Sequence, residues 1–181
     1  FVDPDFLERK VQWFPEYEFS AMREYLKEHW EYPYFLKSLS KNSARIISSD
    51  QDLDEFEAEV KRDDEFFSTT GYIVSEVLDI DKDTHGNREF RAYIVQWKVV
   101  NVSRNIIDTG IDIGHAPRLI PIGVQHFIEK FSQQHQQYFQ TYVLDVAECK
   151  NGKISLVELN DFCHSGRFID NDFWSILDSF A

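Results

Sequence analysis

Asn151-Gly152 lies between two runs of alternating character, TYVLDVAEC before it and KISLVELN after it. Asn-Gly in that setting is a strong hairpin signal, because a type I′ turn needs positive φ at both central residues. A two-residue loop pairs Lys150 with Lys153 and, counting outward, Ala147 with Leu156, Val146 with Val157 and Asp145 with Glu158. Residues directly opposite share a face, with Cβ atoms roughly 4.5–5.5 Å apart. The expected register therefore sets two carboxylates side by side on a face otherwise made of Val143, Ala147, Ile154 and Leu156, with Asn160 further along it. Leu144, Val146, Val157 and Leu159 form the other face, so both sides read as largely buried.

Like charges directly opposite one another destabilise a strand pair, and burial deepens the cost. Either one carboxylate takes a proton or a divalent cation sits between them; on a solvent-open face both would simply be hydrated. Asp145, Glu158 and the Asn160 amide carbonyl are hard oxygen ligands. Mg²⁺ uses one or two carboxylates and completes its shell with water and phosphate oxygens. A slip of one residue would part the two acids.

The rest of the chain alternates helix and strand signals. Ser20 caps an expected helix through AMREYLKEHW, YPYFLKSL reads as a buried strand, and SSDQDLDEFEAEVKR as a helix with an acidic first turn. GYIVSEVLDI is a strand followed by the polar loop DKDTHGN, and EFRAYIV and KVVNVS are strands joined by a tight turn. A loop with Gly110, Gly114, Pro117 and Pro121 leads into a helix from about Ile122 to Gln134, and DNDFWSILDSF ends the chain as a short helix. The fold class is α+β with mostly antiparallel strands.

Sixteen Phe among 181 residues supply a packed core, which excludes a disordered chain. With 32 acidic against 19 basic residues the surface repels polyanions, which argues against general binding of nucleic acid or anionic membranes. No apolar run reaches the roughly 20 residues of a membrane span, and no basic-then-apolar leader is present. Cys149 and Cys163 give no disulfide framework, which fits a cytoplasmic location. A chain that opens at Phe1 without Met reads as a processed form or a piece of a longer protein.

YVLDVAECKNGKISLVELN followed by SGRF resembles the aspartate, hairpin, Glu-x-Asn and small-residue turn of the ATP-grasp superfamily. Upstream, YFLKSL resembles its phosphate-lysine strand, GYIVSEVLDI its adenine hinge and REFRAYIVQWKVVNVS its Glu-x-Arg strand pair, in the family order over about residues 32–168. The Glu-x-Arg version is similar to small phage and bacterial ATP-grasp families. The resemblance implies two α+β subdomains with mostly antiparallel sheets gripping a nucleotide between them. It divides the chain into an N-terminal extension and helix over 1–31, a small subdomain over 32–75 and a C-terminal subdomain over 76–181.

Carried over residue by residue, the resemblance puts Lys37 on the α/β phosphates under a covering loop, SLSKNSA. Glu76 with the backbone of Val77 and Leu78 would read the adenine edge. Glu89 would take the ribose hydroxyls, Arg91 the phosphates or acyl phosphate, and Leu156 the underside of adenine. Asp145, Glu158 and Asn160 would hold two Mg²⁺ ions, with Mn²⁺ as an alternative. The implied activity is ATP-dependent ligation of a small-molecule or peptide carboxylate to an amine through an acyl phosphate. A kinase on the same scaffold, a nucleotide-binding module without chemistry and a metal-dependent hydrolase are the other readings. Relatives carry a second nucleotide lysine, which the sequence does not place, and it leaves the oligomeric state open. Cys163-His164 invites a nucleophile reading that no other residue supports, and Arg104 and Arg167 are further candidates for an anionic group.

Overall fold

A computed structural model describes residues 6–7, 9–15, 19–39, 43–64, 71–104, 119–136, 140–162 and 179. The chain forms two compact units, one of Arg9–Leu78 and one of Phe1–Glu8 with Asp79–Ala181. Of the extension and helix expected over 1–31, residues 9–31 fall in the smaller unit by this division. Phe6 is buried with the larger unit, while residues 11–15 and 19–29 supply a strand and a helix to the smaller. Two separate apolar clusters, each needing its own partners, draw that boundary.

In the smaller unit β1 (Val11–Pro15), β4 (Gly71–Glu76), β2 (Tyr34–Ser38) and β3 (Ala44–Ile47) make an antiparallel sheet in the order β1-β4-β2-β3. The alternation of β2 is visible in its burial: Tyr34, Leu36 and Ser38 are buried, whereas Phe35 and Lys37 are half-buried. Tyr34 and Leu36 join Phe14, Tyr72, Val74 and Ile47 in a core with Met22 and Leu26 of α1 (Phe19–His29) and Leu53, Phe56 and Val60 of α2 (Asp50–Asp64). Helix α1 begins at Phe19, so Ser20 sits inside its first turn. The start of α2 is held reciprocally: Asp52 N donates to Ser49 Oγ at 3.2 Å, and Ser49 Oγ donates to Asp52 Oδ2 at 3.0 Å. Arg23 ties α1 to Asp54 and Glu57 of α2 at 2.6 and 2.9 Å. Arg45 ties β3 to Glu55 and Glu59 at 3.1 and 3.0 Å.

The larger unit is built on β7 (Glu89–Val95), β8 (Lys98–Arg104), β9 (Thr141–Glu148) and β10 (Ile154–Asn160), antiparallel in the order β10-β9-β7-β8. Helix α3 (Ile122–Gln134) covers one face, packing Val124, Ile128 and Phe131 on Phe90, Ala92, Ile94, Leu144, Val146 and Leu156. Phe6 enters the same cluster edge-on to Phe127 and Phe131, at 5.3 and 5.0 Å between ring centroids. The expected terminal helix and the loop through Gly110, Gly114 and Pro117 lie outside the described residues.

The expected loop DKDTHGN is a small hairpin, β5 (Lys82–Asp83) and β6 (Gly86–Asn87), with Gly86 at φ 104°. Its anchor is Arg104, 5% exposed, whose Nη2 donates to Asp83 Oδ1 at 2.7 Å. That bond, with the His85 amide, holds the Asp83 carboxyl at about 2 instead of 3.8, against an opposing push from burial. A depressed carboxyl stabilises the fold above its unfolded pKa and stops doing so as pH falls through the folded one. Stability should therefore drop by on the order of 1 kcal/mol between about pH 4 and 2 on account of Asp83. Asp83→Asn should remove that part of the acid limb of the unfolding curve, and an unaltered limb would show that another carboxyl carries it.

The β7–β8 turn, Gln96-Trp97, has φ of 47° and 64°. Both are left-handed, the type I′ geometry normally given to Asn-Gly, and non-glycine residues there are strained by roughly 1–2 kcal/mol each. Tertiary bonds hold the turn: Trp97 N donates to Gln140 O at 3.2 Å and Ser132 Oγ donates to Trp97 O at 2.7 Å. A Gln96→Asn, Trp97→Gly variant keeps those backbone bonds and should melt about 2–4 °C higher. A lower melting point would mean that the Trp97 ring, 40% exposed, contributes more by packing than its backbone costs.

Candidate functional site

The β9–β10 loop differs from expectation. Gly152 N donates to Cys149 O and Cys149 N to Lys153 O, both at 2.8 Å, and Gly152 has φ 79°. The loop is thus three residues, Lys150 to Gly152, with glycine in the left-handed position. Near the turn the pairing is shifted by one residue, with Ser155 opposite Ala147 and Leu156 opposite Val146. A β-bulge then inserts Val157, and beyond it Glu158 stands opposite Asp145 and Asn160 opposite Val143. The two acids are cross-strand neighbours because loop and bulge offset one another.

Leu156 pairs with Val146, and both pack in the α3 cluster. The register therefore puts Leu156 on the α3 face and not, as expected, on the face of Glu158. Two residues normally return a strand to the same face, but the extra residue Val157 breaks that alternation. Leu156 is core.

Across the sheet, Glu158, Asp145, Arg91 and Ser103 lie directly opposite one another on β10, β9, β7 and β8. The next row is Asn160, Val143, Tyr93 and Asn101, and Glu89 is two residues from Arg91 on the same strand face. A second bulge, at Val100, brings Ser103 rather than Val102 beside Arg91. Both bulges lie on the outer strands and re-aim polar side chains onto the face away from α3. Sequence reasoning misses Ser103, since plain alternation from the turn assigns it to the wrong row.

The centre of this row is an ion pair. Arg91 Nε donates to Asp145 Oδ1 at 2.8 Å and Nη2 to Oδ2 at 2.7 Å, with the side chains 12% and 11% exposed. Asn160 Nδ2 adds a bond to Asp145 Oδ2 at 3.3 Å. The guanidinium pKa is raised by its hydrogen bond to Asp145 against desolvation, with further support from the charges of Asp145 and Glu158. The structure therefore compensates the paired acids by a route the sequence reading does not consider, a cation from β7. Arg91, expected on phosphates, holds Asp145 here.

The donor set still suits a hard cation. Asp145 and Glu158 are two carboxylates on adjacent strands, and turning the Asn160 amide would present its oxygen to the same place. Among the described residues no group of three or more His, Cys, Asp and Glu side chains could hold a metal.

The other expected residues lie in the smaller unit. Lys37 is half-buried on β2, between Ile73 and Ala44 of the flanking strands and on the face away from α1 and α2. The base of the expected covering loop is closed by Ser38 N to Ser43 O at 2.9 Å; its residues 40–42 lie outside the described set. Glu76 is at the end of β4, where its carboxylate accepts from Lys10 N at 2.8 Å and its own amide donates to Lys10 O at 3.0 Å. Its side chain clamps β1 in place. Val77 and Leu78 follow, half-buried and outside any strand. Cys163, His164 and Arg167 lie outside the described residues, and Arg104 is committed to Asp83.

Two antiparallel α+β units, one with a central-strand lysine and one with Arg, Asp, Glu and Asn gathered on one sheet face, define an ATP-grasp architecture. The chain belongs to the ATP-grasp domain family, R-two-K clade family 2, whose model matches residues 6–168. The D-Ala:D-Ser ligase VanG from Enterococcus faecalis superposes with a TM-score of 0.60 at 16% identity, over 95% of this chain and 52% of that one. A RimK-domain ATP-grasp protein from Sphaerobacter thermophilus gives 0.53 at 17% identity, over 88% and 55%. The ATP-grasp ligase PsnB, in complex with a phosphomimetic variant of its minimal precursor, Mg and ADP, gives 0.53 at 17% identity, over 96% and 53%. The chain spans about half the length of these structures. No curated protein matches it. Among the described residues no helix is long and apolar enough to cross a membrane.

Proposed function

We propose that this chain is the nucleotide-binding body of an ATP-dependent ligase that activates a carboxylate as an acyl phosphate for attack by an amine. The observation that carries the reading is the cross-strand row Glu158–Asp145–Arg91 with Asn160 beside it, in a chain of the ATP-grasp family. PsnB, of the same fold, was captured with Mg and ADP. In this reading Asp145, Glu158 and the Asn160 amide oxygen hold Mg²⁺, two ions or Mn²⁺ in their place. A cation held by these residues would supply charge neutralisation at the nucleotide phosphates. Lys37 places a point charge on the α/β phosphates. The backbone of Val77 and Leu78 meets the adenine edge with Glu76 behind it, and Glu89 takes the ribose hydroxyls.

Arg91, paired with Asp145 in the ligand-free protein, would stabilise charge growing on the γ phosphoryl group. A substrate carboxylate oxygen attacks the γ phosphorus, the bond to the β-phosphate oxygen breaks, and ADP leaves. An amine then attacks the acyl carbon, phosphate departs, and the nitrogen loses a proton. The chain's part is positioning and charge compensation. The substrates are a small-molecule or peptide carboxylate and an amine. Cys149, buried and outside any disulfide, supports a cytoplasmic setting.

ATP with Mg²⁺ should raise the melting temperature and ATP with excess chelator much less, because only a ligand selective for the folded state stabilises it. Equal shifts would remove the metal role of Asp145 and Glu158. Incubation with ATP, Mg²⁺ and pools of carboxylates and amines should release ADP and phosphate only when both pools are present. ADP with phosphate left on a hydroxyl acceptor would make the protein a kinase. No turnover with any pool would overturn the enzyme and leave a binding module.

A further inference from the structure

The helix-bearing side of the smaller unit contains a cavity of about 240 Å³ lined by Leu26, Lys27, Trp30, Tyr32, Tyr34 and Asp50. It is not part of the face that carries Lys37, because Tyr34 points with Leu36 into the core beneath α1 and α2 while Lys37 alternates to the other side. Its walls are aromatic and fixed. Tyr32 and Tyr34 stack at 5.4 Å, Trp30 meets Tyr34 edge-on at 6.1 Å, and Lys10 Nζ lies 4.2 Å from the Trp30 ring centroid while donating to His29 O. Two lining side chains are charged, Lys27 and Asp50, and they have opposite signs.

Asp50 is oriented by a relay. Tyr32 Oη donates to Asp50 Oδ1 at 3.0 Å, and the Tyr34 hydroxyl hydrogen-bonds in turn to Tyr32. Burial pushes the Tyr34 phenol up, so it remains a donor. A carboxylate offers about four lone-pair sites, so Asp50 keeps acceptor capacity for a cation. The volume is below the roughly 300–1,000 Å³ of sites for drug-sized ligands. A fitting occupant is small, carries one positive and one negative group, and has an apolar remainder.

We propose that this cavity binds a free α-amino acid with an apolar side chain, its ammonium on Asp50, its carboxylate on Lys27, and its side chain against Leu26, Trp30 and Tyr34. Lys27 Nζ meets Glu24 Oε1 at 3.4 Å and keeps further donors for a ligand carboxylate, which a bare cation would not supply, and a dicarboxylate would be repelled by Asp50. The site needs neither nucleotide nor metal, so it stands or falls separately from the ligase reading.

Titration calorimetry with L-leucine and L-phenylalanine, without nucleotide, tests it. Leucine or phenylalanine should bind, while N-acetyl-leucine and leucinamide, each lacking one charge, should bind about tenfold more weakly or not at all. Asp50→Asn and Lys27→Met, both at exposed positions, should impose a similar loss while leaving the ligand-free melting temperature and the Mg-ATP shift in place. No binding by either amino acid, equal binding of the neutralised analogues, or undiminished binding in both variants would overturn the proposal.

Discussion

Replacing Arg91 by alanine is expected to lower folding stability by about 3 kcal/mol at neutral pH with no ligand present. Arg91 and Asp145 make a two-pronged pair with almost nine-tenths of each side chain removed from solvent. Removing one partner leaves a carboxylate desolvated beside a second carboxylate, Glu158, directly across the strand pair. The double variant Arg91→Met, Asp145→Leu should recover most of the loss, since matched apolar groups often replace a buried pair without penalty. Urea unfolding of the wild type, Arg91→Met, Asp145→Leu and the double variant gives the coupling energy directly. A loss below about 1 kcal/mol in Arg91→Ala would mean that Asp145 finds water or another donor once the guanidinium is gone.

Glu158→Gln should behave in the opposite way. It removes a like charge from the position facing Asp145, so ligand-free stability should hold or rise slightly. If Glu158 serves Mg-ATP, turnover should fall by roughly 10²–10³-fold, the scale on which a charge-stabilising group is lost. Melting curves and ADP release on the same preparation separate the two effects. A marked loss of ligand-free stability would make Glu158 a structural residue and end its metal role.

Much of this is legible in the sequence, and the errors have specific causes. Periodicity places all three helices that the structure describes, and α3 spans Ile122–Gln134 as expected. The facing of Asp145 and Glu158 follows from a count that is wrong in two places at once. The loop has three residues instead of two, and Val157 is bulged. Strand alternation cannot register an extra residue, so it puts Leu156 on the wrong face and passes over Ser103. Charge arithmetic shows that two buried acids need compensation but not that Arg91 supplies it. Glu76 looks free to read a base because its partner, the Lys10 amide, lies 66 residues away in the chain. The cavity between Trp30 and Asp50 has no signature either, since its lining comes from two helices and the approach to β2.

The division into Arg9–Leu78 and the remainder has a consequence for the order in which the protein can be made. Strand β1 finds its partner in β4, so the smaller unit can close its own core on the ribosome once Glu76 has emerged. Phe6, which precedes it in the chain, must wait for Phe127 and Phe131. At about 5–20 residues per second that delay is roughly 6–24 s. In its later part, once Glu76 has emerged, the nascent chain carries a finished insert flanked by an unburied aromatic anchor. The residue that emerges early is thus among the late ones to be packed, and burial of Phe6 reports that the larger unit has been completed.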